Sequence, residues 1–135
     1  MPAVFADTGY WIAVINPNDS LHARAQQISR GLGSSRIVTS DMVLVEVLDA
    51  FAERGPYLRQ IAADAVERIV GDAGVEVAPQ TRKLFREAFA VYRGRRDKGW
   101  SLTDCASFVI IKDRAITDVL THDHHFVQMR CNVLL

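Results

Sequence analysis

Val4-Phe5-Ala6-Asp7, followed at once by Thr8-Gly9-Tyr10-Trp11-Ile12-Ala13-Val14, is the stretch from which the rest of the chain can be read. Val4 to Ala6 reads as a short buried strand ending at Asp7, and Thr8 to Val14 reads as a helix. Pro17 breaks that helix, and Asp19 or Ser20 can cap a second one running to about Arg30. After the Gly31–Ser35 loop the unit repeats. Arg36 to Thr39 forms a strand, and Ser40 or Asp41 caps a helix whose apolar stripe is Leu44, Val47, Leu48 and Phe51. Gly55-Pro56 opens another helix with Ile61, Ala65, Ile69 and Val70 on its apolar face, ended by Gly71 and Gly74. Val75 to Ala78 is a third strand, Thr81 to about Arg95 a long helix, and Ser101 caps a helix to about Arg114. Thr117 to Thr121 is a fourth strand, and Asn132 to Leu135 can add a fifth at an edge. Strands alternating with helices predict an α/β fold with a parallel sheet covered on both faces. In such folds ligands bind beyond the carboxyl ends of the strands, near the switch point in strand order.

Composition sets the frame for this pattern. The 135 residues are 49% hydrophobic and 24% charged, enough for one folded domain, 1–135, without disulfide or metal staples. No apolar run is long enough to span a membrane, and the N-terminus lacks the basic and apolar regions of a secretion signal, so a cytoplasmic location is expected. Cys105 and Cys131 have no metal-ligand spacing and read as reduced, buried thiols. Net charge is zero, so no global field advertises nucleic acid. Between Gln80 and Lys98, however, seven basic residues (Arg82, Lys83, Arg86, Arg93, Arg95, Arg96, Lys98) face only Glu87 and Asp97. This segment can grip phosphates or can simply be a solvated helix face. Phe85, Phe89 and Tyr92, interleaved at helical spacing, read as core residues rather than base-stacking ones.

The chemistry-bearing residues are acids. Asp7 ends the first strand, where an open α/β sheet places its site; the structural alternative is a helix cap. Asp104 lies three residues after Ser101, the spacing of a capping box, at the mouth of a helix that is apolar nearly all round through Ile111. Its carboxylate can cap and face a site together. Asp123 follows the fourth strand in Thr121-His122-Asp123-His124-His125-Phe126. The histidines raise zinc as a rival, but adjacent His124 and His125 are expected to diverge, and only distant His22 remains to help complete a ligand set. Glu46 lies off the centre of its helix's apolar stripe beside Asp49 and Glu53, which by pattern alone is a solvated acidic face. Gathered acids repel unless cations neutralise them, and Mg²⁺ or Mn²⁺ prefers carboxylate oxygens. Such ions can assist phosphodiester hydrolysis without a protein nucleophile. The chain has neither a phosphate-cradling glycine-lysine loop nor a serine elbow.

The order of these acids resembles the PIN-domain family, in particular its VapC-type toxin ribonucleases. The similar features are a hydrophobic strand ending in Asp7-Thr8, a mid-chain helix bearing Glu46, Leu102-Thr103-Asp104-Cys105-Ala106 opening a buried helix, and Thr121, Asp123 and Phe126 after a late strand. Asn16-Pro17-Asn18-Asp19 before the second helix is also similar. The resemblance implies a three-layer α/β/α domain with a central parallel sheet of about five strands. It implies Mg²⁺- or Mn²⁺-dependent cleavage of RNA, with Asp7, Glu46, Asp104 and Asp123 as the catalytic and metal-binding acids and Thr8 holding metal-bound water or orienting Asp7. It also implies a small cognate antitoxin as partner, and a homodimer as a form the chain can take. Met129-Arg130-Cys131 departs from the family, which often has a small residue or glycine there. Two rivals remain: a phospho-receiver domain, disfavoured because Asp7 stands alone and the third strand exits into Ala78-Pro79-Gln80, and a catalytically inactive PIN-like RNA-binding or interaction module.

Overall fold

The computed structural model describes residues 2–135. Five strands, β1 (Ala3–Ala6), β2 (Arg36–Ser40), β3 (Val75–Ala78), β4 (Asp118–Leu120) and β5 (Asn132–Val133), form one sheet in the order β3-β2-β1-β4-β5, and every pairing is parallel. Seven helices accompany them: α1 (Thr8–Ile15), α2 (His22–Gly31), α3 (Asp41–Phe51), α4 (Pro56–Gly71), α5 (Arg82–Gly94), α6 (Leu102–Asp113) and α7 (His124–Gln128). The chain steps outward from β1 to β3 and then crosses back to β4 on the other side of β1. Right-handed crossovers in opposite directions put α1–α4 on one face of the sheet and α5–α6 on the other. Accordingly α1 packs against α2, α3 and α4, while α5 packs against α6. The result is the expected three-layer α/β/α architecture, with its switch point between β1 and β4.

The central strand explains the arrangement. Val4, Phe5 and Ala6 are buried on both faces, as a strand covered by helices on each side must be. Val38, Val119 and Leu120 flank them in the neighbouring strands. Helix α6 is buried over most of its circumference, from Thr103 through Ile111 apart from Val109. Ser40 caps α3 by accepting from the Val43 N–H at 3.2 Å, and Thr81 caps α5 in the same manner. Gly55, at φ +90°, makes the turn into Pro56 that a residue with a Cβ would strain to make.

Several sequence expectations change. Helix α2 starts at His22 rather than at a cap on Asp19 or Ser20, because Asp19 instead folds back to accept from the Leu21 N–H at 2.8 Å. Leu48 and Val70 are exposed; the inward faces of their helices use Val43 and Ala62 instead. Phe85, Phe89 and Tyr92 are not core residues. The inward row of α5 is Leu84, Ala88 and Val91, and the aromatic row lies round the helix from it, with Tyr92 53% exposed. Cys105 is buried, but Cys131 is only half-buried. Strand β4 is shorter than expected, β5 stops at Val133, and α7 occupies a stretch to which the sequence reading assigned no element.

Candidate active site at the sheet switch point

Asp7 follows β1 directly, and its backbone N–H donates to the Leu120 carbonyl at 3.1 Å, so the exits of β1 and β4 lie side by side. Asp7 is 7% exposed, and its side chain makes no capping hydrogen bond to α1, which counts against the helix-cap alternative. Thr121, fully buried just past β4, donates its hydroxyl to Asp7 Oδ2 at 2.9 Å and accepts from the Asp123 N–H at 3.1 Å. Glu46 comes from α3, and the Thr8 hydroxyl donates to its Oε1 at 2.6 Å. Asp104 sits in the first turn of α6, where it and Ser101 form a reciprocal capping box. Asp123 is the cap of α7 and accepts from the His125 N–H at 2.9 Å. Four acids from four separate places in the chain thus line one open cleft of about 450 Å³, together with Thr8, Ser101, Thr121 and His125.

The hydrogen bonds divide each carboxylate in the same way. Side-chain donors reach Asp7 Oδ2, Glu46 Oε1 and Asp104 Oδ2, and Asp123 Oδ1 accepts from the His125 backbone N–H with the His124 and His125 Nδ1 atoms 3.6 and 3.4 Å away. Among the described residues, the second oxygen of each accepts from no side chain. No lysine or arginine lines the cleft. The Asp7 carboxyl is pushed up to about 6 from 3.8: burial raises it, the Thr8 backbone N–H and the Thr121 hydroxyl pull it down, and the charges of Asp104 and Glu46 raise it further. A set of half-held carboxylates with neither lysine nor arginine among the described residues of its lining is suited to a hard divalent cation such as Mg²⁺ or Mn²⁺. A separate cleft of about 390 Å³ between α1 and α4, lined by Trp11, Ile61, Ile69 and Val75, gathers no such acids.

Two roles differ from the sequence expectation. Thr8 directs its hydroxyl to Glu46, not Asp7, and Thr121 is the hydroxyl that holds Asp7. The expected divergence of His124 and His125 does not occur: their ring centroids are 4.4 Å apart, and both Nδ1 atoms lie near Asp123 Oδ1, at 3.6 and 3.4 Å. With Asp123 they could meet at one metal ion. However, the His125 Nδ1 is already directed at Asp104 Oδ2, 3.1 Å away, and the His124 side chain is mostly in solvent. His22 is elsewhere, bonded to the Ala13 carbonyl.

The sequence pattern of the PIN domain matches residues 4–130. This chain belongs to the PIN-domain family. Among the relatives of this PIN domain is the 23S rRNA-specific endonuclease VapC20 of Mycobacterium tuberculosis, in two strains, 25% identical over 126 residues that make up 91% of each chain. The crystal structure of VapC20, described as a Sarcin-Ricin loop cleaving toxin, superimposes with a TM-score of 0.84 at 23% identity, covering 93% of this PIN domain and 94% of that chain. FitAcB from Neisseria gonorrhoeae superimposes at 0.71 with 15% identity, covering 98% and 96%. Among the described residues no helix of this PIN domain is long and apolar enough to cross a membrane.

Proposed function

We propose that this PIN domain is a metal-dependent endoribonuclease, the toxin of a toxin–antitoxin pair, acting in the cytoplasm with Asp7, Glu46, Asp104 and Asp123 as its catalytic and metal-holding acids. The observation that carries the reading is that four carboxylates from separate places in the chain line one cleft at the β1/β4 switch point. The relationship to VapC20 supports RNA as the substrate. When bound, Mg²⁺ or Mn²⁺ supplies Lewis acidity toward the phosphodiester and toward water. The chain's own contribution is positioning. Thr121 fixes Asp7, Thr8 fixes Glu46, Ser101 fixes Asp104, and the first turn of α7 fixes Asp123. Positions at the ends of packed strands and helices, with Glu46 within α3, thus hold the acids. The acidic cleft is also complementary to a basic side chain from an antitoxin, and arginine's fork suits a pair of carboxylates.

The test is direct. Purified protein should cleave RNA in Mg²⁺ or Mn²⁺ and stop in excess EDTA. Asp7→Asn and Asp104→Asn should each remove most cleavage while the protein stays folded by circular dichroism. Cleavage that persists in EDTA, or normal rates from both variants, would sink the proposal.

A further inference from the structure

Among the described residues, His125 is the side chain that faces the carboxylate oxygens of two of the four acids on separate elements. Its Nδ1 lies 3.1 Å from Asp104 Oδ2, on α6, and 3.4 Å from Asp123 Oδ1, at the cap of α7. Two carboxylate oxygens facing one ring nitrogen require the proton to be on that nitrogen, since a bare lone pair there would face lone pairs. We propose that His125 is a positioning residue: its Nδ1–H bonds Asp104 Oδ2 and lies beside Asp123 Oδ1, and so orients Asp104 and Asp123 to present Oδ1 and Oδ2, respectively, to the cleft for the cation. This deepens the nuclease reading and rests on it.

Geometry separates this role from simple support of α7. That helix is anchored without His125. Phe126 is fully buried and packs edge-on against Phe108 of α6 with ring centroids 5.1 Å apart. Gln128 Oε1 accepts from the Trp100 indole N–H at 2.8 Å. The His125 side chain, by contrast, lines the acidic cleft and is 21% exposed. Removing it therefore leaves α7 docked and the backbone donors of Ser101 and His125 in place, while taking away the one side-chain donor to Asp104 Oδ2 and loosening the orientation of both carboxylates. Residues of this kind, which hold a ligand side chain without touching the metal, typically change metal affinity by ~10–100-fold.

The chemistry offers a sharp comparison. The Nδ2 of asparagine is bonded to Cγ, as the Nδ1 of histidine is, so His125→Asn can keep a donor at the same place. The glutamine amide is one carbon farther out, where Nε2 of histidine lies, so His125→Gln loses that donor while staying polar. The measurement is Mn²⁺ binding by calorimetry at one fixed neutral pH, with melting temperatures in EDTA taken alongside. The expected result is a Kd weakened at least ~10-fold in His125→Ala and His125→Gln, near-parental binding in His125→Asn, and parental melting temperatures in all three. RNA cleavage at limiting Mn²⁺ should follow the same order and recover in the alanine variant at saturating Mn²⁺. If the alanine variant does not fold, the asparagine and glutamine variants still decide. Equal Mn²⁺ affinity in those two, or in alanine and parent, overturns the role of His125 and leaves the nuclease reading standing. A parent protein that binds no Mn²⁺ overturns both.

Discussion

Asp7 shows what one buried carboxyl costs and what it is kept for. Its value of about 6 against an ordinary 3.8 means that the folded protein binds this proton more tightly than the unfolded chain does. Stability contributed by the protonated carboxyl is therefore present below about pH 4 and is lost as pH rises toward about 6. At neutral pH the ionised group costs on the order of 3 kcal/mol in the metal-free protein. Asp7→Asn should consequently melt several degrees higher than the parent in EDTA at pH 7, at roughly 3 °C per kcal/mol for a chain of this size. The gap should shrink as pH falls through the window, and added Mg²⁺ should raise the parent's melting temperature more than the variant's. A variant that melts lower than the parent at both pH 7 and pH 4.5, with no difference in its response to metal, would make Asp7 a structural residue. Thr121→Val makes the complementary change. It removes the donor to Asp7 and the acceptor for the Asp123 N–H, a buried loss of roughly 1–3 kcal/mol. It should also push the Asp7 carboxyl higher still, which a carbon-detected carboxyl titration would read directly. Neither Thr121 nor His125 could be chosen for its site role from sequence spacing. Their partners lie 114 and 21 positions away, and hydrogen bonds of that span leave no local pattern.

At the scale of elements, helix α5 carries a phosphate-binding prediction that the structure sharpens. Of the seven basic residues, Lys83 pairs with Glu87, and Arg95 pairs with Asp97 while its guanidinium lies over the Trp100 ring. Arg82, Arg86 and Arg93 are exposed on one side of the helix and, among the described residues, enter no ion pair. Replacing these three by glutamine should weaken RNA binding and lower its salt slope by roughly 0.7 per lost phosphate contact on a single strand. An unchanged slope would return α5 to an ordinary solvated helix. The same helix shows where reading the sequence reaches its end. Its start follows from Thr81 and its end at Gly94 falls close to the expected Arg95, yet its aromatic row and its inward row have the same period, and only the packing against α6 reveals that the smaller side chains face inward. The long periodic segments, β1 through α6, were legible because each carries several turns or a run of apolar residues. Helix α7, five residues long, is too short to show a period. Glu46 lay on an acidic face that no pattern separates from a solvated one; the fold brings it to Thr8 and the cleft.

For the whole molecule, strand order decides everything about the site. Placing β4 beside β1 puts Thr121 next to Asp7, and the cleft is closed by residues from both ends of the chain. Long-range pairing of this kind is entropically costly to form and slow to find, since the intervening chain must already be arranged before the contact repays it. A chain truncated before Thr121 lacks the hydroxyl that holds Asp7, as well as Asp123 and His125. It should express without arresting growth of its host under conditions where the full chain does arrest it; arrest by the truncated form would show that the centre is complete without β4's exit. The same feature bears on synthesis. While a ribosome is still translating the later turns of α6, the growing polypeptide contains Asp7, Glu46 and Asp104 but not yet Thr121, Asp123 or His125. For a nuclease of the kind proposed, the centre forms only after the exit of β4 has been made, so a nascent polypeptide that has not reached Asp123 leaves its own messenger uncut.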